Sequence, residues 1–194
     1  MGEKLTAKGR NEMKIMIASD LHGSAYYTRE LIDAFAREGA ERLLLLGDLL
    51  YHGPRNDLPQ GYAPKEVIAM LSPLKDKIVA VRGNCDAEVD QMVLPFPIMA
   101  DYLPFPYGER TLYLTHGHVY GEDNPPPLSA GDILLGGHTH IPKVAEHEGY
   151  TFLNPGSVSI PKEGSAHGYI LLTDDTFFFK ALSGECYREH KMVN

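Results

Sequence analysis

The chain's sequence predicts an α/β fold of two sheets packed face to face with helices outside, and three observations carry that expectation. Short apolar runs at 14–19, 43–46 and 78–81 each stop at a polar or glycine-led loop, and they read as strands buried on both faces. The first two are separated by a stretch with helical periodicity, so strand, helix and strand form a right-handed crossover unit. Beyond about residue 110 strand-like runs follow one another at short turns without long helical patterns, which predicts a more antiparallel second half.

The elements follow in order. Lys14-Ile15-Met16-Ile17-Ala18-Ser19 is the first strand, and it ends in Asp20 with Leu21-His22-Gly23 as its loop. From residue 25 to 38, Tyr27, Leu31, Ala34 and Phe35 recur at three- to four-residue spacing, as on a helix packed on one face; Ser24 suits its cap and Gly39 its end. Leu43-Leu44-Leu45-Leu46 then leads into Gly47-Asp48. A carboxylate at that strand end lies on the edge where open α/β sheets bind ligands, and the glycine lets a backbone or ion come close.

A long surface loop is expected over residues 51–63, then a helix over 65–74 with Pro64 in its first turn. Ile78-Val79-Ala80-Val81 is the third strand and opens into Arg82-Gly83-Asn84-Cys85-Asp86. Further strands are predicted at 110–115, 132–135, 143–147, 151–153, 168–173 and 176–182, the last two joined by a hairpin turn at Asp174-Asp175. Pro125-Pro126-Pro127 marks an irregular loop, and there is no internal repeat or low-complexity tract.

With 194 residues, 43% of them hydrophobic, the chain has material for one core, and residues 13–194 read as one domain behind a flexible lead-in at 1–12. A formal net charge of −8 argues against a general nucleic-acid or membrane-surface binder, which relies on clustered Lys and Arg. A small anionic substrate stays compatible with it, because metals or a few local cations override the global field. The cysteines, Cys85 and Cys186, form neither a disulfide framework nor a CxxC pair, as expected in a reducing compartment. Residues 1–12 lack the apolar core of a secretory signal and no run approaches the ~18 apolar residues of a membrane span, so a soluble, cytoplasmic protein is expected.

The loops after the strands collect one kind of chemistry: Asp20-Leu21-His22, Gly47-Asp48, Gly83-Asn84, His116-Gly117-His118 and Gly136-Gly137-His138-Thr139-His140. Carboxylates, imidazoles and an amide are the donor set for two borderline or hard divalent ions such as Mn, Fe, Ni or Zn. In Asp-x-His and His-x-His, residues two apart reach one ion from the same side of an extended segment. A single such pair is weak, and Asp20 or Asp48 alone would pass as a turn former. Five clusters, each behind an apolar strand, are a strong signal.

In this order, DLH, GD, GNCD, THGH and GHTH resemble the blocks of the calcineurin-like metallophosphoesterases, and their context over residues 13–182 is similar to the small bacterial YfcE-type phosphodiesterases. The similarity includes His52-Gly53-Pro54-Arg55-Asn56 and Asn154-Pro155-Gly156-Ser157. It implies a four-layer α/β/β/α sandwich with two mixed β-sheets. It implies Asp20, His22, Asp48 and His140 on one ion and Asp48, Asn84, His116 and His138 on the other, with Asp48 bridging through its two oxygens. The activity implied is hydrolysis of small phosphodiesters by a metal-bridging hydroxide, with manganese as the first expectation for the metal. His52, Arg55 and His118 are candidates for contact with the phosphate or leaving group, and His118 equally for hydrogen-bond support of a ligand. Relatives bury hydrophobic strands in dimers, so a homo-oligomer is a further expectation.

The sequence departs from the wider family at two linked places. Many relatives read Gly-Asn-His where this chain has Gly83-Asn84-Cys85, and Tyr51 replaces the acid that would orient that histidine. Without a strong general acid, activated diesters should turn over better than alkyl monoesters. Cys85 reads as a packed residue more readily than as a participant in catalysis. The Asn154 segment reads as a turn beneath the metal loops, Phe177-Phe178-Phe179 as strand core or an interface, and Asp86, Glu88 and Asp90 as a solvated acidic face. His147, His167 and His190 read as surface or locally bonded residues, and Ser157 lacks the partners of a serine nucleophile. The rivals to a diesterase are a phosphomonoesterase and a scaffold of the same fold, as in retromer's phosphoesterase-like subunit. A scaffold has no need of all seven ligands, and this chain has them.

Overall fold

Alternation of small and branched apolar residues builds the centre of the molecule. In β1 (Ile15–Ala18) and β2 (Arg42–Leu45), Met16, Ala18, Leu43 and Leu45 face one way, and Ile15, Ile17 and Leu44 face the other. Both faces are buried, which is why the sequence shows continuous apolar runs there. The computed structural model describes residues 13–192, so the expected lead-in at 1–12 lies outside the described residues.

Helix α1 (Ala25–Glu38) joins the two strands, which pair in parallel. Its first turn is capped by the Ser24 hydroxyl, which accepts the Tyr27 N–H at 3.2 Å, and its last turn closes on Gly39 at φ +64°. Helix α2 (Pro64–Leu71) starts on its proline as expected. It finishes as a 3-10 turn over Ser72–Leu74, because Pro73 has no N–H to continue the α-helical bonds. β3 (Ile78–Ala80) adds a third parallel strand, and α3 (Glu88–Val93) is a short helix without buried residues.

The second sheet begins with β4 (Tyr102–Tyr107) and β5 (Arg110–Thr115), then β6 (Asp132–Leu135), β7 (Lys143–His147) and β8 (Tyr150–Asn154). β9 (Gly168–Thr173), β10 (Thr176–Ala181) and β11 (Cys186–Lys191) return to the first sheet. The orders are β11-β10-β9-β1-β2-β3 and β4-β5-β6-β8-β7. Both sheets are mixed, and here the structure differs from a simple antiparallel second half: β5, β6 and β8 are mutually parallel, with antiparallel β4 and β7 at the edges.

Between the sheets lie Ile15, Ile17, Leu44, Leu46, Leu112, Leu114, Ile133, Leu135, Leu153 and Phe177, a continuous apolar layer. Helices α1 and α2 cover the other face of the first sheet through Leu31, Phe35, Val67 and Leu71. Outside the second sheet the covering layer is the irregular 117–130 segment, whose three prolines keep it from forming a helix. Tyr120 sets its ring edge-on to Tyr102, and Glu122 engages Lys143, His147 and the Tyr150 hydroxyl. The consequence for function is that two sets of parallel strands, one per sheet, end at the same edge.

Candidate metal centre

The loops that leave β1, β2, β3, β5 and β6 meet at that edge. Five residues there hold left-handed backbone although none is glycine: Asp20 (φ +60°), His22 (+46°), Asp48 (+55°), His138 (+68°) and His140 (+63°). Such backbone costs free energy, and its concentration here marks a site that the surrounding structure holds in place. Close packing of the loops also demands glycine: a Cβ on Gly83 would stand 2.0 Å from Asp48 Oδ1, and one on Gly137 would stand 2.0 Å from Ser19 Oγ.

Backbone carbonyls orient three of the imidazoles. His22 Nδ1 donates to Tyr51 O at 2.8 Å, His116 Nδ1 to Leu46 O at 2.7 Å and His140 Nδ1 to Ile160 O at 2.8 Å. With Nδ1 holding the proton, each neutral ring aims the lone pair of Nε2 inward. What it meets there is another acceptor. His140 Nε2 lies 3.2 Å and His22 Nε2 3.5 Å from Asp20 Oδ1, while His116 Nε2 lies 3.4 Å and His22 Nε2 3.6 Å from Asp48 Oδ2. Two imidazole nitrogens even face each other, His22 Nε2 and His140 Nε2 at 3.3 Å.

Lone pairs pointed at carboxylates in a buried site are unfavourable unless positive charge sits among them. Two ligand atoms that share an ion at about 2.1 Å each are roughly 3.0–3.4 Å apart, and the imidazole–carboxylate spacings here, 3.2 to 3.6 Å, fall in or just beyond that range. Asp20 Oδ1 has no hydrogen-bond partner although it is buried, the sign of an atom reserved for another bond. The donor chemistry therefore fits divalent metal. Among the described residues, three triads have ligand atoms within 4.8 Å of one another: Asp20, His22 and His140; Asp20, Asp48 and His116; and His22, Asp48 and Cys85. Asn84 Oδ1 joins at 3.0 Å from His116 Nε2, and His138 Nδ1 at 3.3 Å from the same nitrogen.

All seven sequence-predicted ligands are thus brought together, with Asp48 between the two groups. One detail differs from a carboxylate offering both oxygens. Asp48 Oδ1 accepts the Cys85 N–H at 2.7 Å, and Oδ2 alone faces both His22 and His116.

The electrostatics express the same crowding. Burial pushes the Asp20 carboxyl upward, but His140, His22 and His116 outweigh it and leave the group well below the usual range. Asp48 is lowered by His116 against the same burial. Burial opposes the charged form of His116, but Asp48 and Asp20 outweigh it and, without a bound cation, pull it up to about 9; the neutral ring described above is the form it takes once a bound metal replaces the proton on Nε2. His138 and His118 move down, through burial and then the repulsion of His116. The two carboxylates are deep enough to call for compensating cations.

The remaining candidates stand around this cluster. A cleft of about 450 Å³ opens over it, lined by His22, Asp48, Asn84, Cys85, His138 and His140 and walled by Arg55 and Asn56. His118 is exposed, with its ring 5.3 Å from that of His116, beside the ligands. His52 lies edge-on to Tyr51 at 4.7 Å and Tyr62 at 5.3 Å, with a buried Nδ1 that finds no partner. Cys85 has its thiol pushed up to about 12, first by burial and then by Asp48, so it is protonated at neutral pH in this environment.

Three features escape a reading of the sequence. Lys162 reaches the cleft wall from the loop after β8, where nothing in its local pattern distinguishes it from a surface lysine. Ser157 and Ser159 both donate to the Asp20 carbonyl, at 2.9 and 3.0 Å, and Asn154 Nδ2 donates to Gly137 O at 2.7 Å. These bonds place the Asn154 turn beneath the metal loops, as expected, and show how it holds them. Asp86 corrects the expectation of a solvated face: it is 3% exposed and accepts N–H groups from Asp48, Leu49 and Gly83, each at 2.8 Å. Burial, strongest of the influences on it, lifts its carboxyl above the usual range despite those donors.

Comparison with known proteins agrees with this geometry. Residues 13–176 match the model of the calcineurin-like phosphoesterase superfamily domain. Phosphodiesterase YfcE of Escherichia coli K12 is 50% identical over 183 residues, covering 94% of this chain and 99% of that protein. A solved structure described as that of Yfce, a phosphoesterase from E. coli, superposes with a TM-score of 0.90 at 45% identity, covering 93% of this chain and 100% of that one. Wild-type Vps29 of Entamoeba histolytica, solved with zinc, shares the fold at 20% identity and a TM-score of 0.61, over 93% of this chain and 100% of its own. The arrangement of the loops, the family match and the half-identical relative lead to one conclusion: the chain belongs to the calcineurin-like phosphoesterase superfamily.

Proposed function

We propose that this protein is a dinuclear metal-dependent phosphodiesterase acting on small phosphodiesters, with manganese as its first-choice metal and iron, nickel or zinc as alternatives. The observation that carries the reading is the set of imidazole nitrogens turned, by backbone carbonyls, toward Asp20 and Asp48. Asp20, His22, Asp48 and His140 would hold one ion, and Asp48, Asn84, His116 and His138 the other. When bound, two such cations draw charge from the nonbridging phosphate oxygens and lower the pKa of an attacking water.

The chain's own residues do the rest. Asp48 ties the two groups together, and the Cys85 N–H holds it by its outer oxygen. Asn84 supplies a neutral donor, so the site presents less negative charge to an incoming phosphate. Arg55 and Lys162, exposed on the cleft wall, attract and position the anion. His118 stands where it supports His116 and His138 or meets the substrate. His52, behind Tyr51, is the remaining candidate for the leaving group.

The site offers no imidazole at Cys85, and its thiol is a poor acid at neutral pH. Diesters with good leaving groups are therefore the favoured substrates. The E. coli relative's name, phosphodiesterase, favours the same side over a monoesterase. Two free cysteines, one half-buried and one exposed, fit a reducing cytoplasm. β11 is an exposed sheet edge and offers a route to a homo-oligomer.

The test strips the purified protein with a chelator and adds metals back, comparing an aryl diester with the aryl monoester that has the same leaving group. Loss and metal-dependent return of diester hydrolysis is expected. Full activity in the metal-free protein, or a strong monoester preference, would overturn the reading.

A further inference from the structure

Beside the metal cleft lies a second recess of about 350 Å³, and Cys85 lines both. The Cys85 sulfur is within 4.8 Å of ligand atoms of both His22 and Asp48, so one side chain separates the candidate metal centre from this space. Its walls are Tyr51, Tyr62, Ile68, Val89 and Val93. Three of these are unusually open for apolar residues: Tyr51 is 41%, Val89 62% and Val93 47% exposed. Tyr51 also uses its backbone carbonyl to hold His22, which fixes the aromatic wall relative to the metal ligands. Asp90, the carboxylate on the rim, is engaged by the Ala87 N–H at 2.8 Å.

A recess of this size exceeds what one aromatic ring needs. Its chemistry contrasts with that of the cleft, whose lining includes Arg55 and Lys162. Building on the phosphodiesterase reading, we propose that the recess seats one ester substituent of the substrate, and that this substituent is apolar and ring-sized. A phosphate over the metal ligands sends one arm across Cys85 onto Tyr51, Tyr62 and Val93, while its charged oxygens stay in the cleft that Arg55 and Lys162 line. Selectivity among diesters then rests on the first arm.

The test uses manganese-loaded protein and two monoanionic diester mimics that resist cleavage, monomethyl benzylphosphonate and monomethyl methylphosphonate. Calorimetric titration should show the benzyl compound binding about tenfold or more tighter, as burial of a phenyl group implies. In Val89→Asn/Val93→Asn, changed only at exposed positions, the ratio should fall by about threefold or more as the recess becomes polar. Equal affinities in the wild type, or a ratio untouched by the double variant, would overturn the proposal. So would a dimer on size-exclusion chromatography that the double variant splits, with no preference between the mimics, since a second copy would then own this face. Turnover of bis(4-nitrophenyl) phosphate is measured in parallel. If that hydrolysis is absent while the benzyl preference persists, the assigned reaction fails and the recess assignment holds.

Discussion

Asp86→Asn removes one charge and exchanges one oxygen for an NH2 group, and its effect follows from three hydrogen bonds. Oδ2 accepts from Asp48 N–H and Gly83 N–H, and Oδ1 from Leu49 N–H, all at 2.8 Å. An asparagine best keeps its oxygen where two donors converge, so its NH2 then faces the Leu49 N–H. One charge-assisted bond, worth about 1.5–3 kcal/mol, is lost, and two others fall to neutral strength, a further loss of about 1 kcal/mol in all. Relief of the burial penalty that lifts the Asp86 carboxyl offsets part of this, so the expected destabilisation is about 2 kcal/mol, which for a chain of this length lowers Tm by roughly 4–8 °C. Urea unfolding of the metal-free protein measures it, with coincident fluorescence and circular dichroism curves as the check on two-state behaviour. The same variant loosens the Asp48 loop from the Asn84 loop, so manganese affinity should fall as well. A loss under about 0.5 kcal/mol would show that water replaces the carboxylate and that Asp86 clamps nothing.

Asp48→Asn should deplete metal at both positions, whereas His140→Ala should keep about one ion per chain, because Asp48 Oδ2 lies between His22 of one group and His116 of the other, while His140 faces Asp20 and His22 alone; equal and selective loss in the two variants, by elemental analysis, would contradict this. In the metal-free protein at pH 8, iodoacetamide should alkylate the exposed Cys186 about a hundredfold or more faster than Cys85, whose thiol is pushed up to about 12. Peptide mapping showing Cys85 modified first would count against that environment. Burial pulls the Glu38 carboxyl up, but Lys180 and the Tyr169 hydroxyl outweigh it and the group lies below its ordinary value of 4.5. A carboxylate lowered on folding contributes stability that is present above its unfolded value and lost as pH falls through the folded one. The gap between the urea midpoints of the wild type and Glu38→Gln should therefore be full above about pH 5 and shrink as the pH falls below the ordinary value of 4.5; a gap that does not narrow on acidification would refute the assignment.

Much of the architecture was legible because burial leaves a pattern. The sequence places β5, β6, β7 and β9 at their observed bounds and β1, β2 and β3 within a residue or two; all of these except the edge strand β7 carry side chains buried in apolar layers. β4 went unread because Pro104 and Pro106 argue against a strand, yet an edge position leaves their missing N–H groups without a ladder partner to serve. β11 went unread because an exposed edge strand, Cys-Tyr-Arg-Glu-His-Lys, carries no apolar alternation. The central parallel pairing of the second sheet was also hidden, since β7 and β8 form a hairpin whose second strand inserts beside β6.

The candidate donors are legible in the sequence alone, because carboxylates, imidazoles and an amide at strand ends are side-chain types, and Asp20, His22, Asp48, Asn84, His116, His138 and His140 can be picked out without coordinates. How they are held is a property of the fold. Tyr51, Leu46 and Ile160 select the imidazole tautomers through carbonyls that every residue possesses, so no side-chain pattern announces them. The same holds for Asp86, whose acidic neighbours in sequence suggest solvent but two of whose backbone partners, Asp48 and Leu49, lie 38 and 37 residues away. It holds again for the apolar recess, where Tyr51 and Val93 meet through folding alone. Ligand identity is local chemistry, whereas orientation, charge balance and the shape beside the site arise from contacts between distant segments.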